Sequence, residues 1–154
     1  MLSLAVLLAI AGCGTASPTA PDTSTTSLLA APATVTLDGV SFTMTAGLNR
    51  DFMPIIPPGG HPMTGFATVT TTNGSVVPTT VTVDAFWAVN GSTMWAATPS
   101  SVAFSDTGKE ELLVRVTGGP QWTPGILVDI IVELRGSTGT KLLHVTGVLI
   151  TSSS

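Results

Sequence analysis

From Thr34 onward, short runs of alternating apolar and polar residues are separated by Gly, Pro and Asn, and no stretch of about ten residues or more keeps a helical period. The pattern predicts strands over Thr34–Leu37, Ser41–Ala46, Gly65–Thr71, Thr80–Val89, Thr93–Ala97, Leu112–Thr117, Ile126–Arg135 and Leu142–Thr151. Val81, Val83, Ala85, Trp87 and Val89 fall on one face of the fourth strand, opposite Thr82, Asp84 and Asn90, so that strand is expected to bury one side. Asn90-Gly91 before Thr93 is a strong hairpin signal, because both turn positions accept positive φ. Gly136 to Gly139 is the second hairpin turn. It follows Val128, Ile130, Val132 and Leu134 on one face, with Asp129, Glu133 and Arg135 opposite. On the return strand, Leu143, Val145 and Leu149 share one face and Leu142, His144, Val148 and Ile150 the other. A strand apolar on both faces belongs in the middle of a sheet.

These short strands, with turns at near-regular intervals, resemble an immunoglobulin-like or fibronectin-type domain: an all-β, antiparallel β-sandwich of about 7–9 strands over residues 33–154. The paired cysteines of antibody domains are absent. The core is expected to contain Val83, Ala85, Trp87, Val114, Val128, Ile130, Val132 and Val145.

Upstream of the body the pattern changes. Leu2 to Ala11 is apolar except for Ser3, about half the length a bilayer-spanning helix needs but enough for the apolar region of a signal peptide. The segment Ile10-Ala11-Gly12-Cys13 resembles the lipobox of bacterial lipoproteins. That resemblance implies a signal peptide over 1–12, cleavage before Cys13, and acyl chains on the Cys13 sulfur that hold the protein to a lipid bilayer. Cys13 is the only cysteine, so no internal disulfide can form. Residues 13–32 read as a lipidated cysteine followed by a Ser/Thr/Pro/Ala tether, extended and solvated rather than helical. Gly14 follows the cysteine in place of the Asp that retains many lipoproteins at the inner membrane. The resemblance therefore implies an extracytoplasmic protein anchored at the outer membrane or cell surface.

Composition narrows the functional classes. Charged residues make up 9% of the chain against 44% hydrophobic, and a net charge of −4 with five Lys or Arg leaves no basic footprint for nucleic acid. Histidines are limited to His61 and His144, and no G-x-S-x-G segment is present, so a hydrolase is the weaker expectation. His144, in an apolar strand, reads as a hydrogen-bonded sheet residue. No calcium-loop spacing occurs among the acidic residues, and Asn73-Gly74-Ser75 and Asn90-Gly91-Ser92 read as turns before they read as glycosylation sites.

The segment Leu48 to Met63 interrupts the strand rhythm with four prolines and a Gly pair, and is expected to be a long apolar loop. Its Phe52, Met53, Ile55 and Ile56, together with Trp122 in the turn-rich segment Gly118 to Gly125, form the candidate contact surface for an envelope protein or glycan partner; the alternative reading is packing, with the loop as a cover over the sheet edge and Trp122 as a plug over the end of the sandwich. An alternative is copper: His61 and Met63, with Met53 nearby, offer imidazole and thioether ligands, although Met more commonly fills core gaps. The expectation is a non-catalytic binding or structural module of the envelope, with no cofactor.

Overall fold

A computed structural model describes residues 23–52, 61–105 and 109–153. Among them are one short helix, α1 (Thr25–Leu29), and nine strands: β1 (Val35–Leu37), β2 (Val40–Asp51), β3 (Met63–Thr71), β4 (Thr82–Asn90), β5 (Thr93–Ala97), β6 (Ser101–Phe104), β7 (Glu111–Gly119), β8 (Leu127–Gly136) and β9 (Gly139–Ser153). The strands run in the order β5-β4-β8-β9-β2-β3-β7-β6, with β1 paired to β2. The sheet curls on itself at β9. Residues 139–149 of this strand pair antiparallel with β8, and Ile150 to Ser153 pair with Leu48 to Asp51 of β2. One layer is thus β5-β4-β8-β9 and the other β9-β2-β3-β7-β6, with the main core between them.

The fold is all-β, as the periodicity predicts, but not purely antiparallel: the β2–β9 pair is parallel. Val83, Val114, Val128, Ile130 and Val132 lie in the main core, together with Phe42, Leu48, Met63, Phe86, Leu134, Leu143 and Ile150. Ala85 and Val145, expected in the core, are only partly buried. Burying such a set provides the main drive for folding, at about 25 cal/mol per Å² of apolar surface removed from water.

Two β-bulges explain where simple alternation fails. In β4 the register slips between Val83 and Ala85, so Asp84 is the extra residue and the face of every later side chain is exchanged. Phe86 and Ala88 therefore enter the main core, while Trp87 and Val89 point to the other side. The expectation that β4 buries one side only is corrected accordingly. In β9 the slip falls opposite Val128 and Ile130, and Gly147 takes up φ +66°. Leu143 and Val145 are thereby placed on the same side as Val148 and Ile150, and Leu149 is left half exposed.

The far side of β4 is covered by α1. Ser24 caps the helix by accepting a hydrogen bond from the Ser27 backbone N–H, and Leu28 is completely buried against Trp87, Val89 and Ile131. This corrects the tether read over residues 13–32. Its last part is a docked element, because Leu28 is apolar surface that the exposed side of β4 and β8 can bury. Two further strand features escaped the pattern. β6 is a four-residue edge strand with no fully buried residue, so no core-facing period marks it in the sequence. β2 runs on to Asp51, and β3 begins at Met63, so both ends of the expected Leu48–Met63 loop are strand.

Turn chemistry fixes the hairpins. Asp38 and Gly39 both have positive φ (52° and 77°) and join β1 to β2 in two residues. The Asp38 carboxylate then receives the Ser137 and Thr138 backbone N–H groups at 2.7 and 2.9 Å and the Thr138 hydroxyl at 2.6 Å. The Thr138 hydroxyl and these backbone donors hold the carboxyl down at about 2. One turn thus fastens the next. The β4–β5 hairpin forms where expected, but one residue later than the Asn90-Gly91 pair: Asn90 ends β4 opposite Thr93, and Gly91, at φ +59°, and Ser92 make the turn.

Candidate functional site

The outward face of the β2–β3–β7 layer carries a depression. Leu48, Ala67, Val69, Leu112, Val114 and Val116 are turned into the core, so alternation sends Asn49, Thr64, Phe66, Thr68, Leu113 and Arg115 to solvent. Gly47 of β2 stands directly across from Phe66 of β3, and Phe66 across from Arg115 of β7. A glycine in mid-strand leaves a gap where its neighbours have side chains. Nothing lies within 4 Å of the position a Gly47 Cβ would take, so the Phe66 ring does not fold over it. The ring instead meets the Arg115 guanidinium, 5.8 Å from the ring centroid, and remains 44% exposed.

The resulting groove has a volume of about 420 Å³, within the roughly 300–1,000 Å³ typical of small-ligand sites. Gly47 is its floor, and Phe66 and Arg115 form one wall. A polar ladder forms the other, made possible by the parallel β2–β9 pairing. Asn49 Nδ2 donates to Thr151 Oγ1 at 3.1 Å, the Thr151 hydroxyl donates to the Leu48 carbonyl at 2.9 Å, and the Ser153 hydroxyl lies 3.3 Å from both Asn49 Oδ1 and Asp51 Oδ1. The ladder is held rigid by these contacts, whereas Arg115 makes no ion pair among the described residues. The groove therefore offers one aromatic face, one guanidinium with unused donors, and a row of fixed hydroxyl, amide and carboxylate groups.

The residues singled out by sequence lie mostly elsewhere. Phe52 is exposed at the end of β2, and the Arg50 guanidinium sits 4.9 Å from its ring centroid. Arg50 is itself buried and donates from Nη1 to the Trp122 carbonyl at 3.0 Å, so Phe52 and Trp122 meet through it at one end of the sandwich. Trp122 is half-buried against the main core. Met53, Ile55 and Ile56 lie outside the described residues, as does Cys13. Of the copper set, Met63 is fully buried in the core, as a packing residue would be, while His61 is exposed before β3. The described pair is thus split between interior and surface, and Met53 lies beyond description.

His144 is buried in β9, with Nδ1 3.2 Å from the Ala31 carbonyl and Nε2 3.7 Å from Asp129 Oδ1, which already accepts the Gly147 N–H. It lies on the side of the sheet that packs against the segment leading out of α1, away from the groove. The groove residues Phe66, Arg115, Asn49 and Gly47 were missed by sequence reasoning. The one available signal was Gly47 within a strand, a mark of local close approach or open surface. The sequence matches no protein-family model and no curated protein.

Proposed function

We propose that the chain is an extracytoplasmic bacterial lipoprotein, held to the membrane through acylated Cys13, whose immunoglobulin-like body is a non-catalytic binding module of the cell envelope. The observation that carries the binding reading is the groove over Gly47: an open, preformed depression on a rigid sheet, with an exposed aromatic ring beside fixed polar groups. Neither histidine lines it. The lipid anchor is supported by the apolar run ahead of Cys13, the small residues next to it and the absence of a second cysteine.

A photo-reactive residue placed at Thr68, beside the groove, tests this in intact envelopes. Adducts with an envelope component are expected from Thr68 and not from the same probe at Met94 in β5 of the other layer. Identical adduct patterns from the two positions would refute the groove as the contact surface.

A further inference from the structure

We propose that the Gly47 groove binds a pyranose unit of a neutral glycan, with the Phe66 ring stacked on the sugar face and Arg115 and the β2–β9 ladder hydrogen-bonded to its hydroxyls. The inference rests on the binding reading above and names its ligand. Three observations select this chemistry.

The groove combines a single exposed ring with donors and acceptors on both sides, which suits a ligand having one apolar face and a rim of hydroxyl groups. Arg115 presents donors in a fixed fork that matches a vicinal diol. Asn49 and Asp51 on the opposite wall offer acceptors held in place by Ser153.

On its β3 side the floor is closed to an extended peptide. A peptide strand gains its affinity by adding to a sheet edge, where backbone groups are unpaired. Gly47 is paired with Phe66 in the β2–β3 ladder, Phe66 is paired in turn with Arg115, and on the other side of β2 the pairing with β9 begins only at Leu48. Main-chain recognition is thus closed at the β3 side of the groove, and side-chain hydroxyl, amide and guanidinium groups dominate the surface. The charge balance argues against a polyanionic glycan. Asp51 lines the groove, Glu111 lies on the same β7 face as Arg115, and the whole chain carries −4.

The experiment is a titration of the 15N-labelled full chain, in lauryldimethylamine oxide micelles, with chitotriose, cellotriose and maltotriose, and with trigalacturonate as the acidic counterpart. At least one neutral trisaccharide should move the amide signals of Gly47, Thr64 and Arg115 with a dissociation constant of about 1 mM or tighter. Phe66→Ala should weaken that binding about tenfold or more. Gly47→Leu is the decisive variant: its Cβ meets nothing within 4 Å, so the fold should keep its melting temperature while the new side chain fills the floor and abolishes binding. The proposal is overturned if no neutral trisaccharide shifts these signals at about 10 mM, a range that captures even weak sites. It is equally overturned if Gly47→Leu binds as well as the parent, or if trigalacturonate binds more tightly than every neutral sugar. Adducts from Thr68 in intact envelopes alongside a negative titration would remove the glycan while leaving the binding module in place.

Discussion

Replacing Leu28 by Ala tests whether the short helix ahead of the sandwich belongs to its cooperative unit. Leu28 is fully buried, and its partners Trp87, Val89 and Ile131 form a cluster separate from the main core. Removing three carbons forfeits about 0.8 kcal/mol each of transfer free energy, or about 2.4 kcal/mol. A residual cavity would carry the cost toward the upper part of the usual range of about 2–5 kcal/mol. The cover here is a five-residue helix that can settle inward more easily than a core strand, so about 2–3 kcal/mol is expected. Urea unfolding of parent and variant measures it, with the midpoint falling and the slope unchanged if α1 unfolds together with the sheet. A second readout is Trp87, only 6% exposed in the parent, whose environment should stay apolar at zero denaturant. A loss below about 0.5 kcal/mol, the size of an ordinary surface substitution, would refute the docking of α1 as a contribution to stability.

Cys13→Ser should move the protein from the membrane pellet to the soluble fraction and leave the signal segment uncleaved; an unchanged pellet fraction and mass would defeat the lipoprotein reading. Gly119→Ala should destabilise by about 1–3 kcal/mol, since its Cβ would stand 2.8 Å from two Trp95 ring atoms and 3.0 Å from the Met63 Cβ; an unchanged thermal midpoint would show that the Trp95 ring yields freely. Asp38→Asn removes a carboxylate whose folded-state value is lowered to about 2 from 3.8. The parent's advantage over this variant should be full above about pH 4 and shrink as the pH falls toward 2, because the lowered group loses its bound-state preference only on protonation. Thermal midpoints that differ equally at about pH 5 and pH 2 would refute the carboxylate as the cause.

The strand content was legible because period-two alternation depends only on which residues face the core, and eight of the nine strands announce themselves that way. The bulges were not, since an extra residue at Asp84 or near Gly147 is visible only against a partner strand. Trp87 shows the cost: it keeps its predicted burial but turns to the opposite side, where Leu28 meets it. The parallel meeting of β2 and β9 joins residues about a hundred positions apart, which no local pattern encodes. The groove stayed hidden for the same reason. Gly47, Phe66 and Arg115 each look ordinary along the chain and form a wall and floor only once three strands are in register. The Pro-rich segment drew notice by its composition, and its neighbours Phe52 and Trp122 are joined only through Arg50, a residue whose burial the sequence did not suggest.

The placement of β9 sets an order of assembly. It is the last of the described strands, and it supplies the edge on which β8 completes one layer and β2 begins the other. Until it is present, β2 and β8 have no connection through the sheet, and the two halves of the core face water. Closure must then wait for contacts between sequence-distant strands, which places the domain among slow folders, on the order of milliseconds to seconds.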